Sequence, residues 1–334
     1  MKAAVPVRFF IQQSKSTINN SLTPPGNPLL VYWLLFNLFA LGMLLLDLRV
    51  FHRPGRSAGF RSALGWSALY ILVAAAFAVL LHFWQGHRAA LEFVTGYVLE
   101  LSLSVDNLFV FLVIFRFFAV PEEQQHRVLF WGILGAVVMR GIFIIAGVGL
   151  ISRFHWLFYG FGVLLIYSGI RVCIAGAHQI DPAANPIVKM LRRWVHVTSD
   201  YQGGKFFVRK PGEAALYVTP LLVVLLVIET TDVLFAVDSI PAILGITLNA
   251  FIVYTSNVLA ILGLRSMYFA VAGLMKAFRF LHYGLAVVLI LVGLKMLIAD
   301  YIHIDIADTL GVVAEVLFIS IVASVLYPGK AKSS

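Results

Sequence analysis

The chain has 334 residues, 61% of them hydrophobic and 12% charged, with a formal net charge of +9 and a mean hydropathy of +0.93. These values exclude an ordinary soluble domain and fit a membrane protein with many spans. A single cysteine, Cys173, excludes an intrachain disulfide and a Cys-X-X-Cys redox pair, and reads as a packing residue.

Residues 1–28 contain Pro24-Pro25-Gly26 and lack an apolar stretch ahead of a small-residue cleavage site, so they read as an external tail rather than a signal peptide. Runs close to the ~20 apolar residues needed to cross a bilayer then follow near 29–48, 63–83, 91–117, 128–151, 155–174, 215–238, 249–275, 283–299 and 309–327. The 249–275 run fits one long tilted helix or two broken ones. The expected fold is all-α: a polytopic membrane bundle of about nine transmembrane helices in one transporter domain, 29–327, with a cytoplasmic loop at 175–214 and a cytoplasmic tail at 328–334.

Lys and Arg outside these runs divide between alternate loops. Seventeen fall on one side, among them Arg49, Arg116, Arg127, Arg192, Lys205 and Lys276, against Lys2, Arg8, Lys15, Arg88 and Arg153 on the other. The positive-inside rule then sets the N-terminus outside and the C-terminus in the cytoplasm. The net charge reflects this orientation and contact with anionic lipid headgroups; no basic face for nucleic acid is present.

The third span carries Glu100 and Asp106, the fourth Arg140, the sixth Glu229, Asp232 and Asp238, and the seventh Arg265. A carboxylate at bilayer depth is unfavourable by roughly 2.5–3.5 kcal/mol on insertion scales, so five of them predict a cation pathway. The two arginines are expected as counter-ions to some of the five; the excess of acid leaves charge for a mobile cation.

The chain also matches itself at an offset near 125. Asp106 falls on Asp232 at 126, Arg140 on Arg265 at 125, and Tyr159-Gly160 on Tyr283-Gly284 at 124, with Ile166 on Ile290 and Gly169 on Gly293. The copies, about 91–174 and 215–299, are separated by an odd number of spans and so are inverted. Inverted repeats carry substrate near mid-membrane at their interface, where Asp106 and Asp232 are expected to meet. The first, second and ninth spans form a shell.

Glu100 and Asp238 each lie six residues, about 9 Å, outward of Asp106 and Asp232. Glu229 lies three residues, about 4.5 Å, to the cytoplasmic side of Asp232. Six residues of regular helix turn a side chain away from its partner, so a break is expected, with Pro241 disfavouring helix past Asp238 and Asp106-Asn107 capping freed backbone. The carboxylates, the Asn107 amide, Ser104, Thr230, Thr231 and Ser239 are hard oxygen donors suited to Mn²⁺, Mg²⁺ or Ca²⁺. The predicted metal ligands are Glu100, Asp106, Asn107, Glu229, Asp232 and Asp238.

At these residues the chain resembles the TerC family of integral membrane proteins, and within it the Alx-type members associated with manganese export. The likeness rests on Glu100-Leu-Ser-Leu-Ser-Val-Asp106-Asn107 and on Glu229-Thr-Thr-Asp232-Val-Leu-Phe-Ala-Val-Asp238-Ser239-Ile-Pro241-Ala242. It implies a bacterial inner-membrane protein that moves Mn²⁺ out of the cytoplasm through the matched acids. It also implies links to tellurite resistance, alkaline pH response and metal loading of exported proteins.

The reading favoured by residues and resemblance together is a divalent-cation exporter working by alternating access, with metal exchanging for protons or for the two arginines. Mn²⁺ is its substrate; no resident cofactor is expected, and no Ser-His-Asp order, phosphate loop or HExxH points to an enzyme. One alternative is a non-transporting scaffold that aids insertion or metalation of other proteins, with membrane or Sec-type partners on the basic segment 175–213. Another is efflux of organic cations, for which Phe109, Phe111 and Phe235 would line a cavity.

Overall fold

The computed structural model describes residues 28–51, 60–175, 197–198, 201–209, 216–274, 280–302 and 304–326. The expected tails and most of the 175–214 loop lie outside these residues. Helices α1 (Pro28–Phe51), α2 (Phe60–Gln85), α3 (His87–Phe117), α4 (Glu122–Arg153) and α5 (Trp156–Ala175) precede a small antiparallel hairpin, β1 (Phe207–Arg209) and β2 (Leu216–Val218). Helices α6 (Pro220–Leu244), α7 (Ala250–Leu262), α8 (Leu264–Leu274), α9 (Leu281–Ile298) and α10 (Ile306–Leu326) follow. Among the described residues eight spans are long and apolar enough to cross a bilayer, with α7 and α8 forming one of them over Ala250–Ala270, and α1 carries a shorter apolar run, Leu30–Leu46. This is the polytopic helical bundle expected.

Local chemistry fixes the ends. Gly86, at φ 93°, is in the left-handed region that only glycine adopts freely, and it reverses the chain between α2 and α3 in one residue. Pro220 opens α6 at a position where its missing N–H is no loss. The Asn249 side chain caps α7 by accepting from the N–H groups of Phe251 and Ile252 at 3.1 and 3.5 Å. The 249–275 run resolves into two helices joined at Gly263, two residues before Arg265.

The inverted repeat is visible in the packing. The first copy is α3, α4 and α5; the second is α6, α7–α8 and α9. Among the described residues α5 and α9 make the most extensive helix contact, through glycines that let the backbones touch. A Cβ on Gly293 would lie 2.6 Å from the Gly162 carbonyl oxygen, and one on Gly169 2.7 Å from that of Ala286. At the offset of 124 these two contacts are images of each other. Residue numbers rise along α5 as they fall along α9, so the pair is antiparallel, as inversion demands. α4 runs parallel to α6, with Gly132 against Ile228 and Gly147 against Leu244. α3 runs parallel to α7–α8, with Gly96 against Ser256 and Phe115 against Tyr268. The first helix of each copy thus packs on the second helix of the other.

α1 rests on α7, α2 on α3 and α8, and α10 on α9 and α3, each turning large apolar side chains such as Leu38, Leu72 and Phe318 outward. One end of the bundle exposes Arg116, Arg127, Arg171 and Lys205; the other exposes Trp84, Trp156 and Tyr301.

Expectations for α3, α6 and the loop before α6 are corrected. Pro241 does not break the sixth span: it lies in the last turn of α6, which runs on to Leu244, so its missing N–H removes only the bond to the Val237 carbonyl. Asp106-Asn107 likewise sits inside unbroken α3, so neither motif offers unwound backbone carbonyls. The predicted start of the sixth span at 215 is taken by β2, because Thr219-Pro220 begins the helix. That hairpin is also more than a plain loop. Thr219 Oγ1 donates to the Lys205 carbonyl at 2.6 Å, Arg127 Nη1 donates to the Gly204 carbonyl at 2.6 Å, and the Tyr201 hydroxyl donates to the Phe118 carbonyl. Burial raises the Tyr201 pKa above its ordinary value, which keeps the hydroxyl a donor.

Candidate functional site

Arg140 on α4 is fully buried and stands between the two repeats. Its Nη1 donates to Glu100 Oε1 on α3, to Asn257 Oδ1 on α7 at 2.9 Å and to Ser239 Oγ on α6 at 3.2 Å. Its Nη2 and Nε donate to Asp232 Oδ1 and Oδ2 at 3.2 and 3.4 Å. The fork geometry of a guanidinium suits this bidentate grip on one carboxylate while a second is held at the other edge. Asp232 is the middle residue of the 25-residue α6, about 18 Å from either end at 1.5 Å per residue. Two carboxylates share one guanidinium, which leaves one negative charge in excess when both are ionised.

Glu100 is fully buried. Ser104 Oγ donates to its Oε1 at 3.3 Å, whereas Oε2 has no hydrogen-bond partner among the described residues. A buried carboxylate oxygen without a donor is an unfavourable arrangement unless a proton or a cation visits it.

Glu229 lies about one turn from Asp232 on the same face of α6. Its carboxylate fills the space beside Gly135 of α4, where any Cβ would collide with it. The sixth-span motif therefore places two acids on one face, as the three-residue spacing requires. Asp238 is half-buried and accepts from Ser168 Oγ of α5 at 2.6 Å. Asp106 is half-buried and Asn107 buried on α3. Arg265 is fully buried at the start of α8.

The structure thus brings Glu100, Asp232 and Arg140 into contact with Glu229 beside them. The partners of Arg140 include Glu100 rather than Asp106, contrary to the expected meeting of Asp106 with Asp232. The reason is that both helices stay regular: six residues of rotation carry Asp106 away from Glu100 and Asp238 away from Asp232, toward α5. Thr230 and Thr231, expected as oxygen donors to a metal, direct their hydroxyls to the carbonyls of Leu226 and Val227 in their own helix. Among the described residues no group of three or more His, Cys, Asp or Glu side chains stands at metal-holding spacing; the Arg140 guanidinium lies between Glu100 and Asp232.

Sequence reasoning passed over three polar residues. Asn257 is a direct partner of Arg140, and an amide inside an apolar run was the available signal. Glu92, near the Trp84 end of α3, accepts from Thr247 Oγ1 at 2.6 Å and Arg88 Nε at 3.1 Å. On α9, Lys295 donates to Thr309 at 2.8 Å. Both charges sit inside predicted apolar runs and could have been flagged on that ground.

Comparison with known proteins places this geometry. Residues 85–332 match the Integral membrane protein TerC family. The chain is 45% identical over 302 residues to an uncharacterized membrane protein of Myxococcus xanthus, covering 90% of this chain and 94% of the relative. It is 46% identical over 308 residues to a candidate membrane-bound redox modulator, Alx, of Salmonella typhi, and 44% identical over 308 residues to the protein so described in Escherichia coli (strain K12), covering 89% of this chain and 94% of each relative. No solved structure matches the chain.

Proposed function

The chain belongs to the Integral membrane protein TerC family, and from that premise we propose that it exports a divalent cation, Mn²⁺ first among Mn²⁺, Mg²⁺ and Ca²⁺, by alternating access across a bacterial inner membrane. The observation that carries the proposal is the Glu100–Arg140–Asp232 cluster: two carboxylates from opposite inverted repeats, at mid-bundle, sharing a single guanidinium. In this arrangement Arg140 is a tethered stand-in for the cargo. A divalent ion entering between Glu100 and Asp232 displaces the guanidinium and neutralises these two carboxylates, and Glu229 beside them offsets the freed Arg140 charge.

Glu100, Asp232 and Glu229 are the leading ligands, with Ser239 and Asn257 as neutral oxygens beside them. Asp106 and Asn107 lie on the cytoplasmic side, and Asp238 lies on the outward side. Carboxylate and amide oxygens suit a hard ion, and the unpartnered Glu100 Oε2 is a lone-pair site that an ion or a proton would satisfy. Exchange of metal for protons at these carboxylates would couple export to a pH gradient.

The exposed basic end of the bundle supports a cytoplasmic location for the α3–α4 turn and the hairpin, and the Trp84, Trp156 and Tyr301 end supports the opposite interface. The relatives' description as redox modulators bears on the same reading. With one cysteine in the sequence, an intrachain dithiol couple is unavailable, so a redox effect would run through the metal moved.

Mn²⁺ flux in proteoliposomes, wild type against Asp232→Asn, tests the proposal. Flux in wild type that is lost in the folded variant supports it. Equal flux in both, or none in wild type, contradicts it.

A further inference from the structure

The two-fold relation that maps Asp232 onto Asp106 and Arg140 onto Arg265 also maps the α4–α6 contact onto the contact of α8 with α3. The Arg140–Asp232 ion pair bridges the first of these. Its image would bridge the second, and the register of the helices allows this. Along parallel α3 and α7–α8, Glu92 bonds Thr247, Gly96 meets Ser256, and Phe115 meets Tyr268. Counted from the Gly96–Ser256 contact, Asp106 lies ten residues along α3 and Arg265 nine along the partner, about 15 and 13.5 Å; counted back from Phe115–Tyr268 they lie nine and three residues away, about 13.5 and 4.5 Å. Arg265 is fully buried, a state that demands an anion, and neither residue stands without a partner.

We propose that Asp106 and Arg265 are the pseudo-symmetric twin of the Asp232–Arg140 pair and latch α3 to α8 on the cytoplasmic side of the carboxylate cluster without holding metal. The sequence separates the twins chemically. The position equivalent to Glu100 in the second copy is Leu226, and that equivalent to Glu229 in the first is Leu103. Around Arg140 there is an excess of acid; at the twin one acid faces one guanidinium, and the balanced pair attracts no divalent ion. Asp106 lies about 9 Å from Glu100 along α3, and Glu229 about 4.5 Å from Asp232 along α6, both toward the arginine-rich end. Glu229 therefore lies at a level between the two pairs, and a cation approaching it from that end passes the latch.

The pairing stands on symmetry and register alone; the latch role rests on the export reading. The test is a double-mutant cycle on the full chain with Asp106→Asn and Arg265→Gln, read by thermal midpoint in detergent, by Mn²⁺ binding and by Mn²⁺ flux. Each single variant is expected to lower the midpoint and the double variant to recover much of it, the non-additivity of a direct pair. Effects that simply add, the loss in the double variant equalling the sum of the two single losses, overturn the pairing whether or not wild type transports. Mn²⁺ affinity of the double variant is expected within about twofold of wild type while the maximal flux changes and the half-saturating concentration does not. Loss of Mn²⁺ binding in folded Asp106→Asn makes Asp106 a ligand and overturns the metal-free assignment. An unchanged maximal flux in the double variant overturns the latch.

Discussion

The two repeats share a fold and differ in charge. Their glycine contacts are interchangeable: Gly169 meets Ala286 as Gly293 meets Gly162. Their acids are not, since Glu100 and Glu229 have leucines at the equivalent positions, Leu226 and Leu103. The scaffold is therefore symmetric and the site is where symmetry is broken. On the export reading, a symmetric frame would supply two conformations of similar energy, and the unequal carboxylates would decide where along the axis a cation rests.

The sharpest way to break this contrast is to remove the guanidinium at its centre. Arg140→Met leaves Glu100 and Asp232 facing each other without a cation and is expected to lower stability by about 3–5 kcal/mol, read as a lower thermal midpoint, with Mn²⁺ restoring part of it. Neutralising one acid is gentler: Asp232→Asn or Glu100→Gln keeps Arg140 paired and is expected to weaken Mn²⁺ binding by at least about tenfold, the loss of one charge-assisted contact, with the fold intact by circular dichroism.

The symmetric half of the comparison makes its own demand. Gly169→Ala and Gly293→Ala force a Cβ against the opposite backbone and should each cost about 1–3 kcal/mol, to similar extents, because each is the other's image. Unequal midpoints would blunt the symmetry claim. The smallest effect belongs to Tyr201, which precedes the hairpin and lies outside both repeats. Tyr201→Phe removes one hydrogen bond to Phe118 and should cost about 0.5–1.5 kcal/mol, leaving Mn²⁺ affinity unchanged.

The span pattern was legible because bilayer length and hydropathy are coarse signals, and the repeat because Asp, Arg and Tyr-Gly are rare in apolar helices. The acids were legible for the same reason. Their partners were not: spacing along one helix gives depth and angle, but which neighbour faces Glu100 depends on how α3, α4 and α6 pack, and that is set by Gly132, Gly135 and Gly147 along α4, where helices approach closely. Pro241 misled because a proline in a final turn disrupts little, and the hairpin because three-residue strands in a basic loop leave almost no periodicity to read.

The most direct measurement is titration of purified protein with Mn²⁺, following the free ion's six-line electron paramagnetic resonance signal. The account predicts a saturable site in wild type that disappears in folded Glu100→Gln/Asp232→Asn. Undiminished binding in that double variant would contradict it.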